Sequence, residues 1–452
     1  MRYLFGTDGL RGLANQYPLI PETVTEVCRA ATKILGSHPA DTMVVGKDTR
    51  SSGDMLECAV AAGICSSGVS VLLAGVLPTP AVANLVARTG SIGGVMISAS
   101  HNPASDNGIK FFDHHGFKLT DEQEERIERI ALTRSNGTTH HGLNLGRVSP
   151  CFDALDTYLR TLASASANPA KLAGLRVAID CANGAASQAA PALFRGLGAE
   201  VFIINDQPDG ENINFNCGAL QPGGLQKVVK EFEADAGLAL DGDADRITLV
   251  DEKGTTVDGD QILTCCAVDL KKAGRLARDQ IVGTEMTNTG LEIALKPYGV
   301  SLLRARVGDR YVGEEMTRIG ANLGGEQSGH IIFRDYSTTA DALLTAVLVL
   351  DLSARCGQPL SVLGGMMQRF PQVLINVPVT DKPEFWEIAP IRDAIRDAQK
   401  ALDGSGRISV RYSGTENLAR IMAESSSEQA ARHYAESVAE TFHNTIGVPR
   451  DG

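Results

Sequence analysis

Residues 237–250 read GLALDGDADRITLV, which places an acidic loop between two short apolar runs. Each apolar run has the length of a buried strand, so we predict a strand, a loop and a second strand. Asp241, Asp243 and Asp245 alternate along the loop, and alternate side chains of an extended segment share one side. Three carboxylates that close repel one another unless a cation neutralises them. A set of oxygen ligands without His or Cys favours one Mg²⁺ over Zn²⁺, with a solvated acidic turn as the alternative.

The alternation of apolar runs with helical patterns extends outward from this loop. Residues 42–46 predict a strand, and residues 52–66 carry apolar side chains at the three- and four-residue spacing of a helix. Thr120 and Gln123 have the spacing of a capping box, which predicts a helix start. Strands that alternate with helices indicate an α/β fold. The segment 367–452 differs, because two strands surround a loop before a closing helix, and it predicts an α+β unit.

The composition is that of a folded, acidic chain. Its 452 residues include 42 Lys+Arg against 54 Asp+Glu, a formal net charge of −12, and 43% hydrophobic residues. The acidic balance argues against nucleic-acid binding, which needs clustered Lys and Arg. The most apolar stretch, 342–350, is too short to span a membrane, and the first residues lack the apolar core of a signal peptide. Nine cysteines without a CxxC pair suit reduced thiols, so we expect a cytoplasmic protein without a membrane partner.

Four further loops carry side chains that suit phosphate and sugar chemistry. Ser100 and His101 follow a buried-type strand at a turn fixed by Asn-Pro, and Lys110 comes soon after. The serine is a candidate to carry a phosphoryl group, with Lys110 as phosphate partner or proton donor, and an ordinary serine turn is the alternative. The other three loops are an N-terminal glycine turn with Arg11, a polar glycine loop and a loop of arginine and hydroxyls, at residues 5–12, 324–330 and 411–416.

The order of these loops resembles that of the α-D-phosphohexomutase family. The motifs that carry the resemblance are GTDGLRG (6–12), SASHNP (98–103), DGDADR (241–246), GEQSGH (325–330) and RYSGTE (411–416). They extend over essentially the whole chain. Segments 5–9, 306–312 and 324–330 resemble those of family members that act on glucosamine phosphates.

The resemblance implies a fold and an activity. The fold is three related α/β domains with mixed sheets plus a C-terminal α+β domain, arranged around a central cleft, with domains expected at 1–160, 161–254, 255–366 and 367–452. The activity is an isomerase reaction that interconverts glucosamine 6-phosphate and glucosamine 1-phosphate through a 1,6-bisphosphate. It feeds UDP-N-acetylglucosamine and cell-wall precursor synthesis. Glucosamine or glucose 1,6-bisphosphate would be the activator, the partner is a small phosphosugar, and a homodimer is left open.

The resemblance also implies roles for single residues. A phosphoserine at Ser100 would hold Mg²⁺ together with Asp241, Asp243 and Asp245. The implied catalytic set is Ser100, Lys110, Arg11, His101, Arg246 and His330. Glu326 and Ser328 would contact the sugar. The phosphate that is not being transferred would be held by Arg411, Ser413, Gly414, Thr415 and Arg420.

Departures from the family pattern leave alternatives open. Ala244 stands where a glycine is common, so the backbone there must tolerate a Cβ, and Tyr412 and Asn417 replace prolines often seen in the phosphate loop. Asp309 stands where many members that use mannose or glucose have a histidine. Its carboxylate would favour the ammonium of glucosamine, or it merely caps the next helix. Phosphomannomutase/phosphoglucomutase is the runner-up activity, and a metal-dependent sugar phosphatase and a non-catalytic binding protein are distant alternatives.

Overall fold

A computed structural model describes residues 4–6, 8–36, 41–133, 144–166, 172–402, 406–413 and 417–448. The chain divides into two compact units, Met1–Thr284 with Val300–Met366, and Glu285–Gly299 with Met367–Gly452. The first unit contains three mixed sheets and the second an antiparallel one. The predicted α/β architecture with a C-terminal α+β part is therefore confirmed.

The first sheet is built from the N-terminal third of the chain. Its strands and the helices between them are β1 (Leu10–Leu13), α1 (Pro21–Leu35), β2 (Thr42–Lys47), α2 (Gly53–Ser66), β3 (Ser70–Val76), α3 (Thr79–Thr89), β4 (Gly93–Ile97), β5 (Asp106–Asp113), α4 (Asp121–Leu132), β6 (Val148–Pro150) and α5 (Ala154–Ala165). The strand order is β1-β5-β4-β2-β3-β6, with β5 antiparallel to both neighbours. Met43, Val45 and Ile97 are fully buried in one core with α1, α2 and α4. The predicted capping box of Thr120 and Gln123 is present at the start of α4.

The second sheet carries the acidic loop. Its elements are β7 (Arg176–Asp180), α6 (Ala189–Gly196), β8 (Glu200–Ile204), α7 (Gly223–Glu231), β9 (Ala236–Leu240), β10 (Ile247–Asp251) and β11 (Thr256–Val257), in the strand order β11-β10-β9-β7-β8. β9 and β10 pair antiparallel with Leu240 opposite Ile247. The buried strands of this hairpin therefore hold residues 241–246 at its end, as the sequence predicted.

The third sheet carries the polar glycine loop. The chain continues through α8 (Gly259–Lys272), β12 (Gln280–Thr284), α9 (Thr289–Leu295), β13 (Ser301–Ala305), α10 (Asp309–Ile319), β14 (Leu323–Gly325), β15 (Ile331–Phe333), α11 (Ala342–Cys356) and α12 (Leu360–Gly364). The strand order is β13-β12-β14-β15, and β14 and β15 pair antiparallel around residues 326–330. α11 begins after Asp341, whose side chain accepts the N–H of Leu344. Among the described residues, no helix is long and apolar enough to cross a membrane.

The second unit contains α9 and the C-terminal part of the chain. Its remaining elements are β16 (Gln372–Pro378), α13 (Ala389–Leu402), β17 (Gly406–Tyr412), β18 (Leu418–Ser425) and α14 (Glu428–Ile446), and short 3₁₀ turns occur in the chain at Ala277–Asp279, Lys296–Tyr298 and Phe385–Glu387. The antiparallel sheet has the order β16-β18-β17. Ile391, Ile421 and Phe442 are buried in its core. Both predicted strands and the closing helix are present, and β16 and α13 complete the layer.

Candidate active site

Ser100 lies in a buried turn directly after β4. Its φ is +52°, in the left-handed region that residues with a Cβ rarely adopt. Its N–H donates to Ser98 Oγ at 2.9 Å, and that hydroxyl donates to Asp48 Oδ2 at 2.6 Å. A strained conformation of this kind persists only where the surroundings fix it, and such positions concentrate at functional sites.

Two side chains that the sequence analysis did not identify hold the Ser100 turn. Arg50 is buried, donates from Nε to Asp48 Oδ2 at 2.9 Å, and donates to the carbonyls of Ser100 and Asn102 at 2.9 and 2.8 Å. Asn214, from the loop between β8 and α7, donates to the same two carbonyls at 2.9 and 3.1 Å. Because these donors come from different sheets, they fix the Ser100 turn relative to the second sheet.

The acidic loop is a tight turn, not the extended segment that the sequence predicted. Ala244 is fully buried with a φ of +54°, so the backbone does tolerate a Cβ in this left-handed conformation. Gly242 faces the Ser100 turn so closely that a Cβ would lie 2.5 Å from the Ser100 carbonyl oxygen. The turn still brings together three carboxylates within 4.8 Å of one another, which we call the acidic triad: Asp241, Asp243 and Asp245.

The charges of the acidic triad are unequal. Burial and the carboxylates of Asp245 and Asp243 raise the pKa of Asp241 to about 7. Burial also acts to raise the pKa of Asp245, but Lys110 and His330 hold it well below its usual range. Repulsion within the triad therefore falls mainly on Asp241, the carboxyl with a hydrogen bond to Ser100.

Lys110 brings a positive charge from β5 into the triad. Its Nζ lies 2.7 Å from Asp243 Oδ2 and 3.3 Å from both Asp245 Oδ2 and Asp8 Oδ2. Burial alone would lower the pKa of Lys110, but these carboxylates raise it well above its ordinary value. Arg11 on β1 pairs with Asp8 at 2.7 Å. A lysine that stays charged suits a phosphate partner better than a proton donor.

The donor set of the acidic turn fits a hard divalent cation. Asp243 Oδ1 is buried and has no hydrogen-bond partner in the part of the chain that the structure describes. Ser100 Oγ donates to Asp241 Oδ2 at 2.6 Å, which adds a fourth oxygen beside the triad. Oxygen ligands of this kind are the ones that Mg²⁺ takes in proteins.

His330 lies between two carboxylates at the end of the β14–β15 loop. Its Nε2 is 2.9 Å from Asp245 Oδ1, and its Nδ1 is 2.7 Å from Glu326 Oε2. Burial would lower the pKa of His330, but Asp245 and Asp309 raise it to about 10 against the opposing charge of Arg246. The imidazole is therefore charged at neutral pH and donates from both ring nitrogens. Arg246 Nε, 3.0 Å from Nε2, lies beside it as a second cation.

His101 has the opposite charge state. Burial and the cations Arg246 and Arg11 lower its pKa to about 4, so the ring is neutral at pH 7. Its Nδ1 is 3.4 Å from Ser100 Oγ. The site thus contains a neutral imidazole beside the serine and a charged one beside the triad.

Asp309 is paired with a cation that the sequence analysis missed. Lys118 Nζ lies 2.7 Å from Asp309 Oδ2 and 2.8 Å from Asp8 Oδ1, and all three side chains are at least four-fifths buried. The N-cap of α10 is Gly308, and Asp309 is the first residue inside the helix. No side chain forms a capping hydrogen bond at this helix start. The alternative that Asp309 merely caps the helix is therefore wrong. One oxygen of Asp309 lies within 4.8 Å of ligand atoms of Asp245 and His330.

The two predicted sugar contacts of the glycine loop, Glu326 and Ser328, differ in burial. Glu326 is buried, accepts the Gly308 N–H at 2.9 Å and pairs with His330. Ser328 is exposed at the tip of the loop. Glu326 is thus part of the charged network, whereas Ser328 faces solvent.

In the second unit, the predicted phosphate loop follows β17. Arg411 lies opposite Arg420 in the β17–β18 pair, and an Nη of Arg420 is 3.4 Å from Ser413 Oγ. Lys382 Nζ donates to the Ser413 carbonyl at 2.8 Å and adds a cation that the sequence analysis had not named. Gly414 and Thr415 lie outside the described residues. The described part of the loop is thus rich in positive charge.

Comparison with protein-family models shows which family the chain belongs to. The four domain models described as phosphoglucomutase/phosphomannomutase match the chain, with domain I over residues 2–138, domain II over 156–254, domain III over 258–370 and the C-terminal domain over 374–441. The chain belongs to the phosphoglucomutase/phosphomannomutase family. This confirms the resemblance drawn from the five motifs.

Individual members of the family match over nearly the whole chain. A phosphoglucosamine mutase of Desulforudis audaxviator is 50% identical over 430 residues, which are 95% of each protein. Another, of Geobacter sp. strain M21, is 46% identical over 449 residues and 99% of each. The crystal structure of a phosphoglucomutase/phosphomannomutase family protein from Burkholderia thailandensis has a TM-score of 0.81 at 23% identity over 99% of both chains, which shows a shared fold. The predicted enzyme class, an isomerase of the phosphomutase type, is confirmed.

Proposed function

We propose that the chain interconverts glucosamine 6-phosphate and glucosamine 1-phosphate, with Ser100 carrying the phosphoryl group. The main supporting observation is the Ser100 hydroxyl, which is buried in a strained turn 2.6 Å from the acidic triad. The two relatives at 50% and 46% identity are phosphoglucosamine mutases. We also propose that the chain has four domains, at 1–160, 161–254, 255–366 and 367–452.

In each half-reaction, the phosphoryl group moves between Ser100 Oγ and a sugar hydroxyl. In the first half-reaction, the bond from phosphorus to Oγ breaks as the bond to the sugar oxygen forms, and Oγ gains the proton that the sugar hydroxyl loses. In the second, these changes run in reverse at the other sugar oxygen, and Oγ gives up its proton as it takes the phosphoryl group. His101, neutral and 3.4 Å from Oγ, is proposed to take part in this proton transfer, and His330 is proposed to act near the reacting sugar oxygen. The product of the first half-reaction is a sugar 1,6-bisphosphate, which turns round before its other phosphate returns to Ser100.

The acidic triad and the Ser100 oxygen are proposed to hold one Mg²⁺. A bound divalent cation of this kind neutralises charge on the phosphoryl oxygens during transfer. A phosphoseryl group adds about −2 to the triad, which carries −3 once all three carboxylates are ionised. Arg11, Lys110 and Arg246 supply three positive charges of the protein's own beside it. Phosphoryl transfer gains most of its acceleration from such a prearranged set of charges.

The phosphate that is not being transferred is proposed to bind the loop after β17. Arg411, Arg420 and Lys382 provide the charge, and Ser413, with Gly414 and Thr415, provides hydroxyl and backbone donors. A second anchor of this kind retains the bisphosphate while it turns round. The proposed reaction therefore needs two phosphate-binding loops, the one at Ser100 and this one.

The sugar is proposed to be read by Asp309, Glu326 and Ser328. The amino group of glucosamine is substantially protonated near neutral pH, and a carboxylate that faces it forms a charge-assisted hydrogen bond. In the free protein, however, Asp309 already pairs with Lys118 and Glu326 with His330. This sharing of charge reduces what each carboxylate offers an ammonium. It favours phosphoglucomutase/phosphomannomutase activity as the second candidate function.

A coupled mutase assay tests the proposal and ranks the two candidates. The 6-phosphates of glucosamine, N-acetylglucosamine, glucose and mannose are compared at equal Mg²⁺ with a sugar 1,6-bisphosphate as activator. We expect the highest kcat/KM with glucosamine phosphate. Equal values for glucosamine and glucose would make the second candidate the better description, and failure to convert any of the four would overturn both.

A further inference from the structure

Thr79 contacts the acidic triad from a helix that the proposed chemistry does not otherwise use. It is the first residue of α3 and is fully buried. Its N–H donates to the Asp243 carbonyl at 2.9 Å, and its hydroxyl donates to Asp243 Oδ2 at 2.5 Å. Thr79, from a helix beside the first sheet, therefore holds both the backbone and the side chain of Asp243 in the turn of the second sheet.

The two flanking residues prepare Thr79 for this contact. Pro78 and Pro80 lie on either side of it in the sequence, and neither has an N–H to offer. The N–H groups of a helix's first turn lack partners within the helix. The Thr79 N–H finds its partner in the Asp243 carbonyl, so the helix start and the acidic turn complete one another.

The effect on Asp243 is to separate the roles of its two oxygens. Oδ2 accepts from both Thr79 Oγ1 and Lys110 Nζ, at 2.5 and 2.7 Å. Oδ1 is buried and lacks a hydrogen-bond partner among the described residues. Two donors on one oxygen restrict the rotation of the carboxylate, and the other oxygen is left without a donor.

We propose that Thr79 is a positioning residue that presents Asp243 Oδ1 to the divalent cation. The proposal rests on the metal site proposed above, and Thr79 itself would not touch the metal. Partners that hold a metal ligand in place typically contribute about 10- to 100-fold to metal affinity. We therefore expect the hydroxyl of Thr79 to be needed for full Mg²⁺ affinity, although it is remote from the sugar.

Calorimetric titration of the dephosphorylated full-length protein with Mg²⁺ tests this proposal. Thr79→Val keeps the shape and removes the hydroxyl, and we expect its Kd to rise about 10- to 100-fold. Thr79→Ser restores the hydroxyl and should return the Kd close to the wild-type value. The matched control is Thr32→Val, because Thr32 is equally buried and its hydroxyl bonds the Cys28 carbonyl within α1, away from the triad.

The outcomes separate this proposal from the metal site itself. Wild-type protein that binds no Mg²⁺ overturns the metal site, and this inference with it. Wild-type binding with an unchanged Kd for Thr79→Val overturns the positioning role alone, as does a serine variant that fails to rescue. An equal loss in Thr32→Val would show a general effect and overturn it as well. If Thr79→Val does not fold, Thr79→Ala is used instead. It removes the same hydroxyl together with the γ-methyl group and adds no bulk.

Discussion

The raised pKa of Asp241 predicts that Mg²⁺ binding depends on pH near neutrality. Burial and the other two carboxylates of the triad raise this pKa to about 7 in the metal-free protein. The cation binds the ionised carboxylate, so a proton and Mg²⁺ compete for the same group. Affinity should therefore fall as the pH drops below 7 and level off above it.

The size of the effect follows from this pKa. Protonation weakens apparent affinity by the factor 1 + 10^(pKa − pH), which is about 11 at pH 6 and about 1.1 at pH 8. The expected change is therefore about 10-fold, or about 1.4 kcal/mol, between these two values. The neighbouring imidazoles do not contribute, because the pKa of His101 is about 4 and that of His330 about 10.

Isothermal titration calorimetry at pH 6, 7 and 8 measures this dependence. The protein must be dephosphorylated, because the second pKa of a phosphoseryl group, about 6, lies in the same window. Two buffers of different ionisation enthalpy give the protons released, and we expect about half a proton per Mg²⁺ at pH 7. The weaker residual binding of Asp241→Asn should not vary with pH. A wild-type affinity that is constant from pH 6 to pH 8 would show that Mg²⁺ does not compete with a proton on Asp241.

Three further substitutions test other parts of the account. Arg50→Met leaves the buried Asp48 carboxylate without its cation, although the Ser98 hydroxyl still donates to it, and should lower the free energy of unfolding by about 3–5 kcal/mol in urea melts; a loss under about 1 kcal/mol would contradict this. Arg411→Ala should raise KM and release sugar bisphosphate into solution, and an unchanged KM without released bisphosphate would contradict the anchor role. Asp309→Asn should lower kcat/KM for glucosamine phosphate about 5-fold more than for glucose phosphate, because Lys118 already offsets much of the charge; an equal loss on both sugars would count against specificity.

The strands, the helices and the groups of site residues could be predicted from the sequence better than the local backbone geometry of the site. The strands around the acidic loop, the helix starting after Thr120 and the C-terminal α+β unit all follow from apolar spacing and capping residues. The acidic triad was predicted by the wrong route, since alternation along a strand was assumed. The structure groups the carboxylates by a turn that contains Ala244 at φ +54°. Single-sequence patterns do not show which residue takes a left-handed conformation.

The partners of the site residues could not be predicted because they are distant in sequence. β5 was missed, since Asn107 and Lys110 interrupt its apolar pattern. Both are buried, and Lys110 pairs with the acidic triad whereas Asn107 donates to Ser52 Oγ at 2.8 Å. Lys118 pairs with Asp309, 191 residues away, and Thr79 with Asp243, 164 residues away. Spacing along the chain carries no information on such contacts. The cation beside Asp309 is therefore visible only in the three-dimensional structure.

The transfer of phosphate to Ser100 is the most direct test of the central claim. Dephosphorylated protein is incubated with glucose 1,6-bisphosphate labelled in its phosphates, and the labelled residue is located by peptide mass spectrometry. We expect one phosphate per chain, at Ser100. A folded Ser100→Ala variant should show no stable labelling and should lose nearly all mutase activity. Label on another residue, together with a Ser100→Ala variant that remains active, would contradict this claim.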